Sequence, residues 1–370
     1  ATMGRTAIVT TTIYVPKAIH AYMKNAKENG HSDAIFIVAG DKKTPPEAKQ
    51  FCDACAEEFK MKCQYLTVDD QINWLQDFPE LASAIPWNSI QRRNIAILLA
   101  YQIGCEIIIT IDDDNYFVEG QDFIGEHIRH IKDQIPHTSL VSNTGWLNVC
   151  EYLEDKRKFE FYPRGYPMNQ RWRSPKPIHR AVQQNRKVVV NAGLWLDDPD
   201  VDAITRLCND ISAERYLRED SFSLSRKTWC PFNSQNTAIS REVIPGYCLS
   251  PNVGRYDDIW AGYVVMAIAD KLDHAIMFGF PLVKQERNPH NYFNDHQAER
   301  IGLEFTETFC EWLREAPLKG TTYLACLGEI VAWLQQKAEG ASNEQFKDQV
   351  FGFCLTQEAW IKTMERMNVV

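Results

Sequence analysis

An α/β fold, built on a largely parallel sheet and followed by a helical C-terminal extension, is predicted by three features of this 370-residue sequence. The first 120 residues alternate strand-like and helix-like segments. A nearly all-apolar, β-branched run, Ile107-Ile-Ile-Thr-Ile111, reads as a central strand buried on both faces. From Gln297 onward the apolar residues recur at helical spacing.

In order, residues 6–12 form a candidate strand, 16–28 an amphipathic helix, and 34–39 a second strand closed by Gly40-Asp41. A helix over 46–59, a short strand over 62–67 and a helix over 88–103 lead into the apolar strand that ends at Asp112. Such a series makes βαβ units, hence parallel strands with helices on both faces. After Gly120 the pattern is mixed. Short strands are expected over 139–142, 188–196 and 237–239, and helices over 202–217 and 259–272. Packing helices are expected over 324–338 and 356–367. No repeat, low-complexity tract or linker interrupts the chain. The organisation is therefore one unit over 1–296, with halves of about 1–120 and 121–296, and a helical extension over 297–370 that is not an independent domain.

Hydrophobic content of 45% and charged content of 24% suit an ordinary soluble globular protein. No apolar run is long enough to span a bilayer. Residues 1–12 lack the charged segment, apolar core and cleavage site of a signal peptide, so a cytoplasmic protein is expected. A net charge of −9 with interspersed signs argues against nucleic acid as a partner. A phosphorylated small molecule stays admissible, because a bound divalent metal reverses the local field. The 11 cysteines are read as reduced thiols; Cys52 and Cys55 sit inside a helix, without a second pair at zinc-ribbon spacing.

The apolar strand ends in Asp112-Asp113-Asp114, where ligands of open α/β sheets bind. On extended backbone Asp112 and Asp114 point to one side and Asp113 to the other. Two hard oxygen ligands with room for water and phosphate describe a Mg²⁺ or Mn²⁺ site; the alternative is a solvated acidic loop or a helix N-cap cluster. The loop Phe161-Tyr-Pro-Arg164-Gly-Tyr-Pro167, with Arg171 and Arg173, offers guanidinium forks for a diphosphate, or else a basic surface pairing with the surplus acids. After the strand carrying Trp195, Asp200 or Asp202 caps a helix. Asn233 and Asn236 either recognise sugar hydroxyls or satisfy backbone groups. Asp257 and Asp258 open another helix; one is a candidate N-cap, the other a candidate base or sugar contact. Asp41 and Asp70 follow the second and third strands, where base and ribose contacts are expected. Asn88 and Ser89 read as N-caps. The G-x-G-x-x-G and G-x-x-x-x-G-K-[ST] motifs are absent, which argues against flavin, NAD or nucleoside triphosphatase chemistry. A Rossmann-type nucleotide-binding sheet that relies on strand-end acids and a metal resembles the GT-A architecture of nucleotide-sugar enzymes.

Four segments, Ile111-Asp-Asp-Asp114, Arg164-Gly-Tyr-Pro167, Gly193-Leu-Trp-Leu196 with Pro199-Asp200-x-Asp202-Ala203, and Gly254-Arg-Tyr-Asp-Asp-x-Trp-Ala-Gly262, resemble in order and spacing the reversibly glycosylated polypeptides, which include the plant UDP-arabinopyranose mutases. The likeness covers roughly residues 6–281. It implies a GT-A-like fold, a divalent metal, a nucleotide-sugar substrate and flavin-independent interconversion of pyranose and furanose rings. It carries a glycosylated or activity-bearing arginine onto Arg164 and a second functional arginine onto Arg171. It further makes Arg92 a candidate diphosphate contact. In GT-A proteins the final metal ligand is often a histidine past the core, and that likeness makes His290 a candidate third metal ligand beside Asp112 and Asp114, or else a structural residue. Asp113, Asn236 and Trp195 join Asp41, Asp70 and Arg92 as candidate nucleotide, diphosphate or sugar contacts. Departures are Asn115, where the family has cysteine, an arginine- and tryptophan-rich segment around Arg171, and residues 285–296.

The expected activity is a metal-dependent mutase acting on a UDP- or GDP-sugar, with Mn²⁺ or Mg²⁺ and no flavin. Arg164, Arg171, Asp257 and Asp258 carry the chemistry, while aromatic loops with Trp146, Trp172 and Trp195 exclude water. The rival readings are a glycosyltransferase using the same fold and metal, and a non-catalytic sugar-nucleotide-binding scaffold. The family's tendency to form complexes allows a homo-oligomer.

Overall fold

The computed structural model describes residues 5–368. Its first half is the expected βαβ series: β1 (Thr6–Thr11), α1 (Ala18–Glu28), β2 (Ile35–Ala39), α2 (Glu47–Phe59), β3 (Lys62–Leu66), α3 (Val68–Leu75), α4 (Pro79–Ala84), α5 (Arg93–Gln102) and β4 (Ile107–Ile111). β3, β2, β1 and β4 lie side by side, all parallel. β1, β2 and β4 are buried along their whole length, which is why they read as unbroken apolar runs.

The second half continues the same sheet in mixed directions. It contains β5 (Asn115–Phe117), α6 (Phe123–Asp133), β6 (His137–Ser142), β7 (Leu153–Asp155), β8 (His179–Gln184), β9 (Lys187–Leu196), α7 (Ala203–Cys208), β10 (Ala213–Tyr216), β11 (Phe222–Leu224), β12 (Asn236–Ser240), α8 (Asp257–Leu272) and β13 (His274–Gln285). The sheet runs β3-β2-β1-β4-β12-β9-β13-β11-β6-β8, with β5 on β13 and a separate β7–β10 pair. β12 joins the halves, antiparallel to both β4 and β9.

Two expectations change. The helix expected over 202–217 stops at Cys208, and Ala213–Tyr216 pairs with β7 instead. β13 was not anticipated, because Gly279 and Pro281 interrupt its apolar run. It accommodates them as an irregularity against β9 between Gly279 and Val283.

The chain ends in α9 (Tyr292–Glu315), α10 (Tyr323–Glu339) and α11 (Glu344–Asn368). They share one hydrophobic core with the sheet: Trp260 of α8 stacks on Phe309 of α9 at 4.1 Å and meets Phe353 of α11 edge-on. Among the described residues, no helix is long and apolar enough to cross a membrane.

Candidate active site

The chain leaves the sheet after Ile111, and Asp112-Asp113-Asp114 forms a turn rather than more strand. The Asp112 amide donates to the Gln235 carbonyl at 3.2 Å, and the Asp114 carbonyl accepts from the Glu286 amide at 2.9 Å. This turn is clamped between the start of β12 and the end of β13. Strand alternation therefore does not continue, and all three acids line one cleft of about 440 Å³. Asp112 accepts from buried Arg93 at 2.6 Å. Asp113 accepts from the Thr12 hydroxyl at 2.6 Å. Asp114 accepts from Gln285 Nε2 and the Asn288 amide, both at 3.3 Å. Burial pushes Asp113 up to about 6. Burial and neighbouring Asp112 raise Asp114 as well. Neither has a cationic hydrogen-bond partner among the described residues.

Across the cleft, Asp257 and Asp258 occupy the first turn of α8, where the helix terminus favours negative charge. Neither is the N-cap, a position held by Tyr256. Asp258 is fully engaged. It accepts from Arg164 Nη1 at 3.2 Å and Nη2 at 3.3 Å, and from the Ser234 amide at 3.0 Å and hydroxyl at 3.2 Å. Asp257 receives one side-chain hydrogen bond, from Gln91 Nε2 at 3.0 Å. Burial and the adjacent Asp258 push its carboxyl up to about 7.

Arg164 lines the cleft, yet its donors are spent. Nε and Nη2 fork onto Asp200 at 2.9 and 3.0 Å, both terminal nitrogens reach Asp258, and Nη1 also donates to the Arg255 carbonyl. Burial works against its charge, but Asp200 and Asp258 more than reverse that and raise its pKa. Asp200, which burial alone would raise, is lowered by the same guanidinium.

The sequence reading passed over several residues that tie the two acid clusters together. Ser234 bonds Asp258 on one side and accepts from Arg93 Nη1 on the other, its hydroxyl at 2.7 Å and carbonyl at 3.0 Å. Arg93 in turn holds Asp112. A second arc runs from Asp200 to Asn233 Nδ2 at 2.6 Å, then through Gln235 and Gln285 to Asp114. Arg287 donates Nε to Asp198 at 2.6 Å, and its Nη1 makes no hydrogen bond among the described residues. It is thus a cleft-lining guanidinium with donors to spare. None of these pairings has a local sequence signature. Only the density of polar residues over 233–236 and 284–290 hinted at them.

Most of the other expected site residues lie elsewhere. Asp41 spends its carboxylate on the amides of Lys42, Asn88 and Ser89, stapling a loop. Asn88 and Ser89 themselves line the cleft and cap nothing through their side chains. Asp70 closes a capping box with Thr67 at the start of α3. Arg92 is buried against Gln71 and the Trp87 ring, 3.6 Å away, and its neighbour Arg93 faces the cleft instead. Asn236 bonds His127 and the Pro281 carbonyl inside the core. Arg171 pairs with Asp202 at 2.7 Å, both buried, and Asp202 caps α7. Trp146 and Trp195 are buried and Trp172 is exposed, and none of the three lines the cleft, so they do not wall it from water. His290 does line it, but its Nδ1 is bonded to Asp295 at 3.0 Å. Among the described residues, no three His, Cys, Asp or Glu side chains form a ready-made metal cage, so Asp112, Asp114 and His290 are not assembled as a triad.

A family model described as "Reversibly glycosylated polypeptide" matches residues 79–369. UDP-arabinopyranose mutase 2 of Arabidopsis thaliana is 24% identical over 269 residues, covering 70% of this chain and 69% of that protein. UDP-arabinopyranose mutase 3 of the same plant is 25% identical over 261 residues, 68% and 67% of the two chains. A probable UDP-arabinopyranose mutase 1 of Pisum sativum is 26% identical over 261 residues, with the same coverage. Among solved structures, glucosyl-3-phosphoglycerate synthase from Mycobacterium tuberculosis aligns over 83% of this chain and 80% of its own at 11% identity and a TM-score of 0.43. The mannosyltransferase PcManGT from Pyrobaculum calidifontis aligns over 98% and 84% at 11% identity and a TM-score of 0.37.

Proposed function

The chain belongs to the reversibly glycosylated polypeptide family, and on that premise we propose that it is a divalent-metal-dependent mutase interconverting the pyranose and furanose forms of a UDP- or GDP-linked sugar. The observation that carries this reading is one cleft that sets three carboxylates at a strand end opposite a second acid pair. Asp113 and Asp114 are held without a cationic hydrogen-bond partner and pushed upward by burial, which is the donor chemistry a hard cation suits. Arg93 engages Asp112 through Oδ1, so Asp112, by its other oxygen, and Asp114 would hold Mn²⁺ or Mg²⁺, with the substrate's phosphates and water completing the shell in place of a protein cage. Such an ion supplies Lewis-acid neutralisation of the diphosphate charge as the glycosyl bond breaks.

The rest is the work of the chain. Arg287, held by Asp198 and Gln285, presents its free Nη1 to the diphosphate. Asp257, poised near neutrality, takes the proton from the hydroxyl that closes the new ring and delivers it to the former ring oxygen, which becomes a free hydroxyl; the reverse reaction runs the same transfer backwards. Asp258 is saturated, and with Arg164 and Ser234 it positions that acid. No flavin takes part.

Incubation with Mn²⁺ and a panel of UDP- and GDP-sugars, followed by chromatographic separation of ring forms, tests the reading. We expect a pyranose–furanose equilibrium that EDTA abolishes and Mn²⁺ or Mg²⁺ restores. Full activity in chelator, or a stoichiometric flavin spectrum, overturns it. Sugar transfer only when an acceptor is added assigns the cleft to a glycosyltransferase instead.

A further inference from the structure

Segment 161–172 separates two hollows: Arg164 faces the cleft, while Tyr162 and Tyr166 face a small depression of about 20 Å³ on the other side, with the exposed Trp172 at its rim. We propose that this second depression is a subsite for a neutral carbohydrate, with Trp172 as its stacking platform, distinct from the nucleotide-linked sugar in the cleft.

Trp172 is 59% exposed, a costly state for so large an apolar ring. Its backbone is held at φ 49°, a region that bulky residues avoid. The strain is maintained locally: its amide donates to the Tyr162 hydroxyl at 2.8 Å, and its ring meets Tyr162 at 5.1 Å, edge-on. Tyr162 leans on Tyr166, and Tyr166 on Trp146, so the platform rests on a buried aromatic stack.

Around this face the polar groups are of both kinds and only loosely satisfied. Glu160 lies 3.5 Å from exposed Lys176. Glu151 lies 3.5 Å from His179 Nδ1, and His179 Nε2 is buried without a partner among the described residues. Sugar rings present apolar C–H faces and hydroxyl edges that both donate and accept. An exposed indole bordered by carboxylates, an ammonium and an imidazole matches those two needs. A nucleic acid or phosphate would call for an excess of cations, whereas here Arg173, bonded to Gln170, and Lys176, beside Glu160, are balanced by the carboxylates of Glu160 and Glu151. Arg171 is locked onto Asp202 beneath the surface, while Trp172 and Arg173 emerge from it, so the tryptophan- and arginine-rich segment gains a purpose that the cleft does not give it.

Calorimetric titration of the whole protein with xylohexaose, cellohexaose and mannohexaose tests the site. Saturable binding of at least one, unaffected by excess UDP, is expected. Trp172→Ala should weaken it about tenfold or more and Trp172→Phe by less, with thermal unfolding unchanged because the ring is exposed. Glu160→Gln, which keeps the shape, should weaken it too and guards against local collapse in the alanine variant. Absence of saturable binding overturns the proposal, as does binding that survives Trp172→Ala. Competition by UDP would place the sugar in the cleft. Binding of tetramethylammonium in place of the oligosaccharides would make the depression an aromatic cage for cations.

Discussion

Arg164 shows how a motif names a residue without fixing its job. A guanidinium in an Arg-Gly-Tyr-Pro loop was expected to clasp a departing diphosphate. Its five N–H groups are instead divided among Asp200, Asp258 and the Arg255 carbonyl, so it neutralises two buried carboxylates and orients Asp258. Removing one partner of a buried ion cluster leaves charge uncompensated, at about 3–5 kcal/mol. Arg164→Ala should therefore lower the urea midpoint markedly. Arg164→Lys should recover little, since a point charge cannot fork onto two carboxylates. Affinity for UDP in the folded fraction should barely move. A variant of normal stability that has lost UDP affinity would return Arg164 to the diphosphate.

At the scale of elements, what the sequence disclosed depended on whether a segment's partners were local. Three of the four parallel strands, β1, β2 and β4, were legible because burial on both faces leaves an apolar run with clear ends. The helix expected over 202–217 failed at Asn209-Asp210, where a long-range pairing with β7 took over. β13 stayed hidden because a glycine and a proline inside a strand read as its end, yet this strand delivers Gln285 and Arg287 to the cleft. The acid turn was visible at once. The two arcs of hydrogen bonds beneath it were not, since their decisive links join residues far apart in the chain, Arg93 with Ser234 and Asp114 with Gln285. Asp70 illustrates the opposite case, an acid at a strand end explained by its own helix. Its carboxylate accepts from the Thr67 amide at 3.0 Å while its amide donates back to the Thr67 hydroxyl. Asp70→Ala should cost about 1 kcal/mol in urea unfolding with no change in UDP affinity. A loss of UDP affinity at unchanged stability would restore its expected nucleotide role.

For the whole molecule, the response of stability to pH joins the fold to the proposed chemistry. Asp257 holds its proton up to about pH 7 when folded, against an ordinary value of 3.8. Between those limits folding takes up a proton. Its contribution is therefore complete below about pH 4, declines by about 1.4 kcal/mol per pH unit as pH rises, and is gone above about pH 7. His127, buried between Asn191 and Asn236, is lowered by that burial to about 4 from 6.5. It contributes with the opposite sign, its stability present above about pH 6.5 and lost as pH falls towards 4. In wild-type protein the two slopes oppose each other over the same window. Asp257→Asn removes one of them and keeps the shape of the site. The variant should gain stability relative to wild type progressively from about pH 4 to 7 and hold that gain above it. Urea unfolding of both proteins across this range, without added metal, gives the difference directly. If Asp257 is also the proton carrier, wild-type mutase turnover should turn over near the same pH at which the stability difference levels, since one buried proton governs both. A stability difference that does not vary with pH would mean that Asp257 is ionised throughout, and would remove it from the proton-transfer role.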